Sequence, residues 1–225
     1  MNMNKLRLFA VALSIWAFGV IGAQAQLENY FAPASAKVMT PDQDGFIRRW
    51  MLLEPFKKQN RSNTVFVDSY IREAFATNAP AFNAFPTNGE KVKIADQELT
   101  WHAMDSKLFN VKLFRFASEN KWTYYGIIFW ATTIINCDED IKNVRMAVGS
   151  NSASMWWLNG EEAVILSGDR RMVKDDCTSG RLTLKKGQNI IRGAVINGPG
   201  MSDFCLRFLH EDRTPVKNVT ISVVK

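Results

Sequence analysis

Residues 144–166 read V-R-M-A-V-G-S-N-S-A-S-M-W-W-L-N-G-E-E-A-V-I-L. Two apolar runs flank Asn159-Gly160. Asn-Gly takes up the positive backbone angles of a two-residue turn with little strain, so this dipeptide between apolar runs predicts a β-hairpin. The first arm ends in Trp156-Trp157-Leu158, and the second covers residues 163–166. A second pattern follows at residues 181–195, R-L-T-L-K-K-G-Q-N-I-I-R-G-A-V. There Leu182 and Leu184 alternate with polar residues, Lys186-Gly187 predicts a turn, and Ile190-Ile191 begins another strand. A chain built on two such hairpins is expected to be a β structure throughout.

The flanking sequence agrees. Residues 46–53, F-I-R-R-W-M-L-L, predict a strand that closes at Glu54-Pro55. Residues 70–76 predict one short helix, with Asp68 or Ser69 as its cap. Pro80, Pro86 and Gly89 mark a loop. From residue 91 onward β signals come at short intervals: 92–94 and 98–101 around A-D-Q, then V-K-L-F-R-F at 111–116. The longest β-prone run is 121–136, and further strands are expected at 204–210 and 219–224. Many short strands with few helical patterns predict an all-β sandwich or barrel. The 225 residues, 47% of them apolar, suffice for one sizeable core.

The start of the chain has the pattern of an export signal. Lys5 and Arg7 supply the basic region, residues 8–22 an apolar run too short for a membrane span, and Ala23-Gln24-Ala25 the small-x-small cleavage site. The expected division is a signal peptide over 1–25, an extended lead-in over 26–45 and a β-sandwich over 46–225. The mature protein is expected in the periplasm or outside the cell, with no membrane span. Loss of Lys5 and Arg7, with no acid in that segment, lowers the formal charge from +6 to +4. The remaining Lys and Arg are scattered, whereas a nucleic-acid protein gathers them into a stripe, so no nucleic-acid partner is expected. An oxidising compartment permits disulfides. Sequence does not fix their connectivity, but the polar settings of Cys137 and Cys177 make them the expected pair. Cys205, among Phe204, Leu206 and Phe208, is expected to be a buried thiol.

Catalytic chemistry finds few carriers. Nucleophilic hydrolysis needs a Ser or Cys, a base and an orienting group. Only His102 and His210 are available, with Ser150 or Ser152 as thin nucleophile candidates, and no G-x-S-x-G elbow is present. Two isolated histidines without C-x-x-C do not make a zinc site. The acidic runs 138–140 and 175–176 read as solvated loops, though a structural calcium is compatible with them. No cofactor is expected, and no phosphate-cradling loop occurs. What remains is aromatic and polar residues on a β scaffold, the combination that binds sugars by stacking and hydroxyl hydrogen bonds. Trp156 and Trp157 must point to opposite faces of their strand, so one belongs to the core and the other is free to meet a ligand. The loops S-G-D-R-R-M and I-N-G-P-G-M-S-D-F complete the set. The candidate ligand-binding residues are Trp156, Trp157, Asp169, Arg170, Arg171, Asn197, Met201 and Asp203.

The segment G-S-N-S-A-S-M-W-W-L-N-G followed by R-L-T-L-K-K-G-Q-N-I-I-R-G resembles the galactose-binding-like jelly roll of carbohydrate-binding modules, whose hairpin reads G-S-D-D-x-x-x-V-W-L-N-G. F-I-R-R-W-M-L-L-E-P-F is similar to their opening W-L-x-x-G-P-F strand. The resemblance spans residues 46–224 and departs from the pattern at Asn151 and Ser152, where the acidic pair stands, and at Glu54, where a glycine stands. It implies a jelly-roll sandwich. The chain also resembles exported Bacteroidetes proteins labelled acetylxylan esterase. The expected function is a non-catalytic, carbohydrate-binding sandwich, for a plant cell-wall polysaccharide such as xylan. The alternatives are an acetylxylan esterase, or its accessory domain, and a structural, protein-binding sandwich.

Overall fold

The computed structural model describes residues 27–35, 37–59 and 65–224. The expected signal peptide lies outside these residues. In chain order the first elements are β1 (Phe31–Pro33), β2 (Arg49–Leu53), β3 (Phe56–Lys57), α1 (Asp68–Thr77), β4 (Lys91–Ile94), β5 (Gln97–Ser106) and α2 (Leu113–Glu119). Next come β6 (Ile127–Cys137), β7 (Ile141–Asn151), β8 (Ala153–Leu158), β9 (Glu161–Leu166), β10 (Cys177–Thr178), β11 (Leu182–Leu184), β12 (Gly187–Asn197), β13 (Asp203–Leu209) and β14 (Thr220–Ser222). No described helix is long and apolar enough to cross a membrane.

The strands form two antiparallel sheets, and the fold is the all-β sandwich that the sequence predicts. The ten-stranded sheet has the order β1-β5-β2-β6-β12-β8-β9, with β14, β3 and β4 attached to β6 and β5. The four-stranded sheet is centred on β7, which pairs with β10, β11 and β13. The long β-prone run is indeed central: β6 pairs with β12 along its whole length, from Ile127↔Asn197 to Cys137↔Gly187.

Alternation along each strand divides the apolar residues into two cores. Between the sheets lie Phe129, Ile135, Val148, Trp156, Ile191, Val195, Phe204 and Leu206. On the other face of the large sheet lie Met51, Ile128, Trp130, Ile134, Met155, Ala194 and Ile196. That second face is covered by α1, which buries Ile71, Ala74 and Phe75, the i, i+3, i+4 spacing of one helical stripe.

The centre of the inter-sheet core is aromatic. Trp156 is fully buried and packs against Trp50 at 5.9 Å and Phe204 at 4.7 Å between ring centroids. Its indole Nε1–H donates to Ser154 Oγ at 3.0 Å. The ring lies flat against Gly193 of β12, where a Cβ would come within 2.1 Å of Trp156 Cζ3. Only glycine permits that approach.

Several expectations are corrected. The Asn159-Gly160 hairpin forms, with φ of 52° and 90° at its two turn residues. Its first arm, however, is two strands. β7 belongs to the small sheet and β8 to the large one, and the chain crosses between them at Ser152, whose φ is 85°. The second predicted hairpin does not form, because β11 pairs with β7 and β12 with β6 and β8. Residues 111–116 are not a strand. Leu113, Phe116 and Ala117 are buried on one face of α2, so two helices are present among the described residues instead of one.

The expected Cys137–Cys177 bond is also absent, and all three thiols are free. Cys137 closes β6, just before β7 begins at Ile141, while Cys177 pairs with Val148 near the other end of β7. Val148 lies seven positions beyond Ile141 along the strand, roughly 20 Å, whereas a disulfide needs Cα atoms within about 7 Å.

Two outcomes follow from this packing. Gly193→Ala should destabilise the fold by at least about 2 kcal/mol, read from the urea midpoint at unchanged slope, and the added Trp156→Leu should recover part of that loss. Cys205 is buried against Met172, with Sγ and Sδ 3.7 Å apart, and burial pushes its thiol up to about 12. The unfolded chain releases this proton near the ordinary thiol value of about 8.5, so above that pH the unfolded state binds fewer protons and stability falls toward pH 12. Cys205→Ala should flatten that part of the stability–pH curve, and a slope equal to that of the unmodified protein would refute the assignment.

Candidate functional site

The same alternation that turns Trp156 inward turns Trp157 outward. Trp157 stands opposite Arg192 of β12 on one side and Glu162 of β9 on the other. It stacks on Trp130 of β6 at 5.8 Å with rings 23° apart, and meets the edge of Phe75 from α1 at 6.3 Å. Trp130 is itself anchored, its Nε1–H donating to the carbonyl of Asn78 at 3.0 Å. Phe82, from the loop after α1, packs edge-on against Trp130 at 5.4 Å.

Helix α1 and that loop do not cover this face completely. A cavity of about 380 Å³ remains, lined by Phe75, Phe82, Trp130, Met155, Trp157 and Arg192, with Arg72 and Gly160 among its other walls. This volume is within the range of small-ligand pockets, and so is the mix of aromatic walls with few polar groups. Trp157 is half-buried in it, and among the described residues its indole N–H has no hydrogen-bond acceptor.

Charge in the cavity is one-sided. Its lining includes two arginines and no carboxylate. Arg72 is neutralised by Glu162 at 2.6 Å. Arg192 is not paired with any carboxylate among the described residues. It lies over the ring of Phe82, 4.1 Å from guanidinium carbon to centroid, and its best hydrogen bond is a long one of 3.4 Å to the Phe82 carbonyl. Burial lowers its pKa from the ordinary arginine value, with no opposing contribution from an acid.

The other expected site residues are placed elsewhere. Trp156 is enclosed in the core, which takes it out of reach of any ligand. The two loops do converge, because the Ser152 amide donates to the Arg170 carbonyl and Ser152 Oγ to the Ile196 carbonyl. Most of their polar groups are used within the fold. Arg170 pairs with Asp176. Asn197 is buried and donates to the carbonyls of Tyr124 and Gly200, at 2.9 and 3.0 Å. Asp203 is buried and accepts from Asn110 Nδ2 and Lys112 Nζ, both at 2.8 Å. Asp169, Arg171 and Met201 are exposed. None of these loop residues lines the aromatic cavity.

The thin catalytic candidates are not brought together. Ser150 and Ser152 are buried, and their hydroxyls donate to the carbonyls of Ser152 and Ile196. His102 lies on β5 with Nε2 3.0 Å from Glu54 Oε1, beside Phe116 and Trp122. His210 follows the end of β13 that pairs with Arg145, while Ser150 pairs with Phe204 near the other end. Among the described residues no group of three or more His, Cys, Asp or Glu is placed to hold a metal ion.

No family model and no curated protein matches the chain. Solved structures of similar shape include a PA14 sugar-binding domain from an RTX adhesin, 9% identical, covering 77% of this chain and 96% of that one, with a TM-score of 0.44. The PA14 domain of an antifreeze protein is 12% identical, with 84% and 96% covered and a TM-score of 0.43. An epithelial adhesin A domain from Candida glabrata, in complex with Galβ1-4GlcNAc, is 7% identical, with 84% and 95% covered and a TM-score of 0.37.

Proposed function

We propose that the chain is an exported carbohydrate-binding β-sandwich and that its sugar site is the aromatic cavity over the outer face of the large sheet. The observation that carries this reading is Trp157, half-buried beside Trp130, Phe75 and Phe82 in a cavity of about 380 Å³. An indole held rigidly by neighbouring rings offers a flat apolar surface to one face of a pyranose. Its free N–H and the Arg192 guanidinium offer donors to the ring substituents. The preformed cage keeps the ordering cost of binding low. Export rests on the basic and apolar pattern of residues 1–25. Plant cell-wall xylan is one polysaccharide for this site.

Calorimetric titration with a panel of xylo-, gluco-, galacto- and uronate-containing oligosaccharides is the test. At least one should bind, and Trp157→Ala should weaken it by at least about 10-fold, the usual cost of removing a central aromatic from a binding pocket. The variant should still unfold in one cooperative transition, at a temperature lowered by the lost packing on Trp130 and Phe75. Absence of binding across the panel would overturn the reading, and so would binding that survives Trp157→Ala intact.

A further inference from the structure

The cavity contains a charge that no carboxylate among the described residues answers. Taking a guanidinium partly out of water costs free energy unless an acceptor replaces the lost hydration. Five of the other six described arginines that are buried or half-buried have one. Arg49 meets Asp105 at 2.7 Å, Arg207 meets Asp175 at 2.9 Å, Arg115 meets Glu119 at 3.2 Å and Arg170 meets Asp176. Arg145 donates to the Ser179 carbonyl at 2.7 Å, and in Arg48 the Nε has no hydrogen-bond partner among the described residues although the Asp42 carboxylate lies 3.8 Å away. Among the described residues Arg192 has only the ring of Phe82 and a 3.4 Å hydrogen bond to its carbonyl.

Its position relative to Trp157 sets the geometry of an occupant. The two residues are directly opposed on neighbouring antiparallel strands, which places their Cβ atoms about 5 Å apart. That spacing is about the width of a pyranose ring. A sugar lying against Trp157 would present the substituent at its rim to the guanidinium fork. The fork matches a carboxylate, whose two oxygens accept two parallel hydrogen bonds.

Resting on the carbohydrate reading of this same cavity, we propose that its preferred ligand is an acidic sugar, a hexuronate residue whose carboxylate pairs with Arg192 while its ring stacks on Trp157. Arg72 does not compete for the acid, because Glu162 already holds it. The positive lining disfavours ligands with an unpaired cation and leaves neutral sugars with the stacking contribution alone.

The test compares matched ligands on the full chain by calorimetry. Oligogalacturonate is set against the same oligomer with its carboxyl groups reduced to hydroxymethyl, and a glucuronate-substituted xylo-oligosaccharide against the unsubstituted one. In at least one pair the acidic member should bind at least about 10-fold tighter, the scale of a hydrogen-bonded charge pair. Arg192→Gln should bring the two members to within about twofold while weaker binding of the neutral sugar persists, which also shows that the variant is folded. Arg192→Lys, keeping the charge without the fork, should fall between. Equal binding of acidic and neutral members in both pairs overturns the proposal and leaves the carbohydrate reading standing. Absence of all glycan binding overturns both. Benzoate, a planar carboxylate that is not a sugar, should bind more weakly than the uronate, and equal binding would overturn the assignment to a sugar.

Discussion

The contact between Trp156 and Gly193 fixes the rest of the molecule. A large indole can lie on a neighbouring strand only where that strand has no side chain, and Gly193 supplies the gap. The ring then reaches Phe204 of the opposite sheet, and Trp50 closes the cluster with an edge contact to Phe204 at 5.0 Å. Trp50 donates its Nε1–H to the Ile47 carbonyl at 2.9 Å, and Trp156 donates to Ser154, so neither buried indole leaves a polar group unmet. The sheets are therefore locked by a contact that tolerates almost no change in register.

Register is what the candidate site inherits from this lock. Because side chains alternate, a strand that turns Trp156 inward must turn Trp157 outward, and one that turns Gly193 inward must turn Arg192 outward. Both outward residues sit beside the two that form the lock, in paired positions of adjacent strands. A slip of one residue along β8 would carry the Trp157 indole into the core, and the same slip along β12 would carry in the Arg192 guanidinium. The candidate surface is thus specified by the core and needs no separate scaffold.

The sequence carries this information unevenly. Asn159-Gly160 was legible because its signal is local, as was the outward turn of one of the two tryptophans. The boundary between β7 and β8 was not legible, because sheet membership depends on partners far along the chain and Ser152 carries no glycine to mark the break. The same is true of β11 and β12, whose Lys186-Gly187 junction has the local chemistry of a hairpin but joins strands of different sheets. In α2 the apolar residues Leu113, Phe116 and Ala117 fit the helical period, while V-K-L-F-R-F fits the period of two until Phe114 is counted. Arg192 could not have been found at all. What distinguishes it is the lack of an acidic partner and the approach of Phe82, 110 residues away, neither of which leaves a trace in the local pattern.

The two predicted loops show why polarity alone is a poor guide. Residues 169–171 and 197–203 do gather near Ser152, yet the buried members of this group serve the fold. The Asp203 carboxylate fastens α2 to β13 through Lys112 and Asn110. Asn197 shapes its own turn, and Arg170 is paired with Asp176 through one end of its guanidinium. Polar groups that find partners within the chain have little left to offer a ligand. A half-buried charge that meets no carboxylate is a cost to the folded state, which an acceptor on a ligand would repay. By that criterion the candidate site of this sandwich is the aromatic face under α1, with Arg192 as its most informative residue.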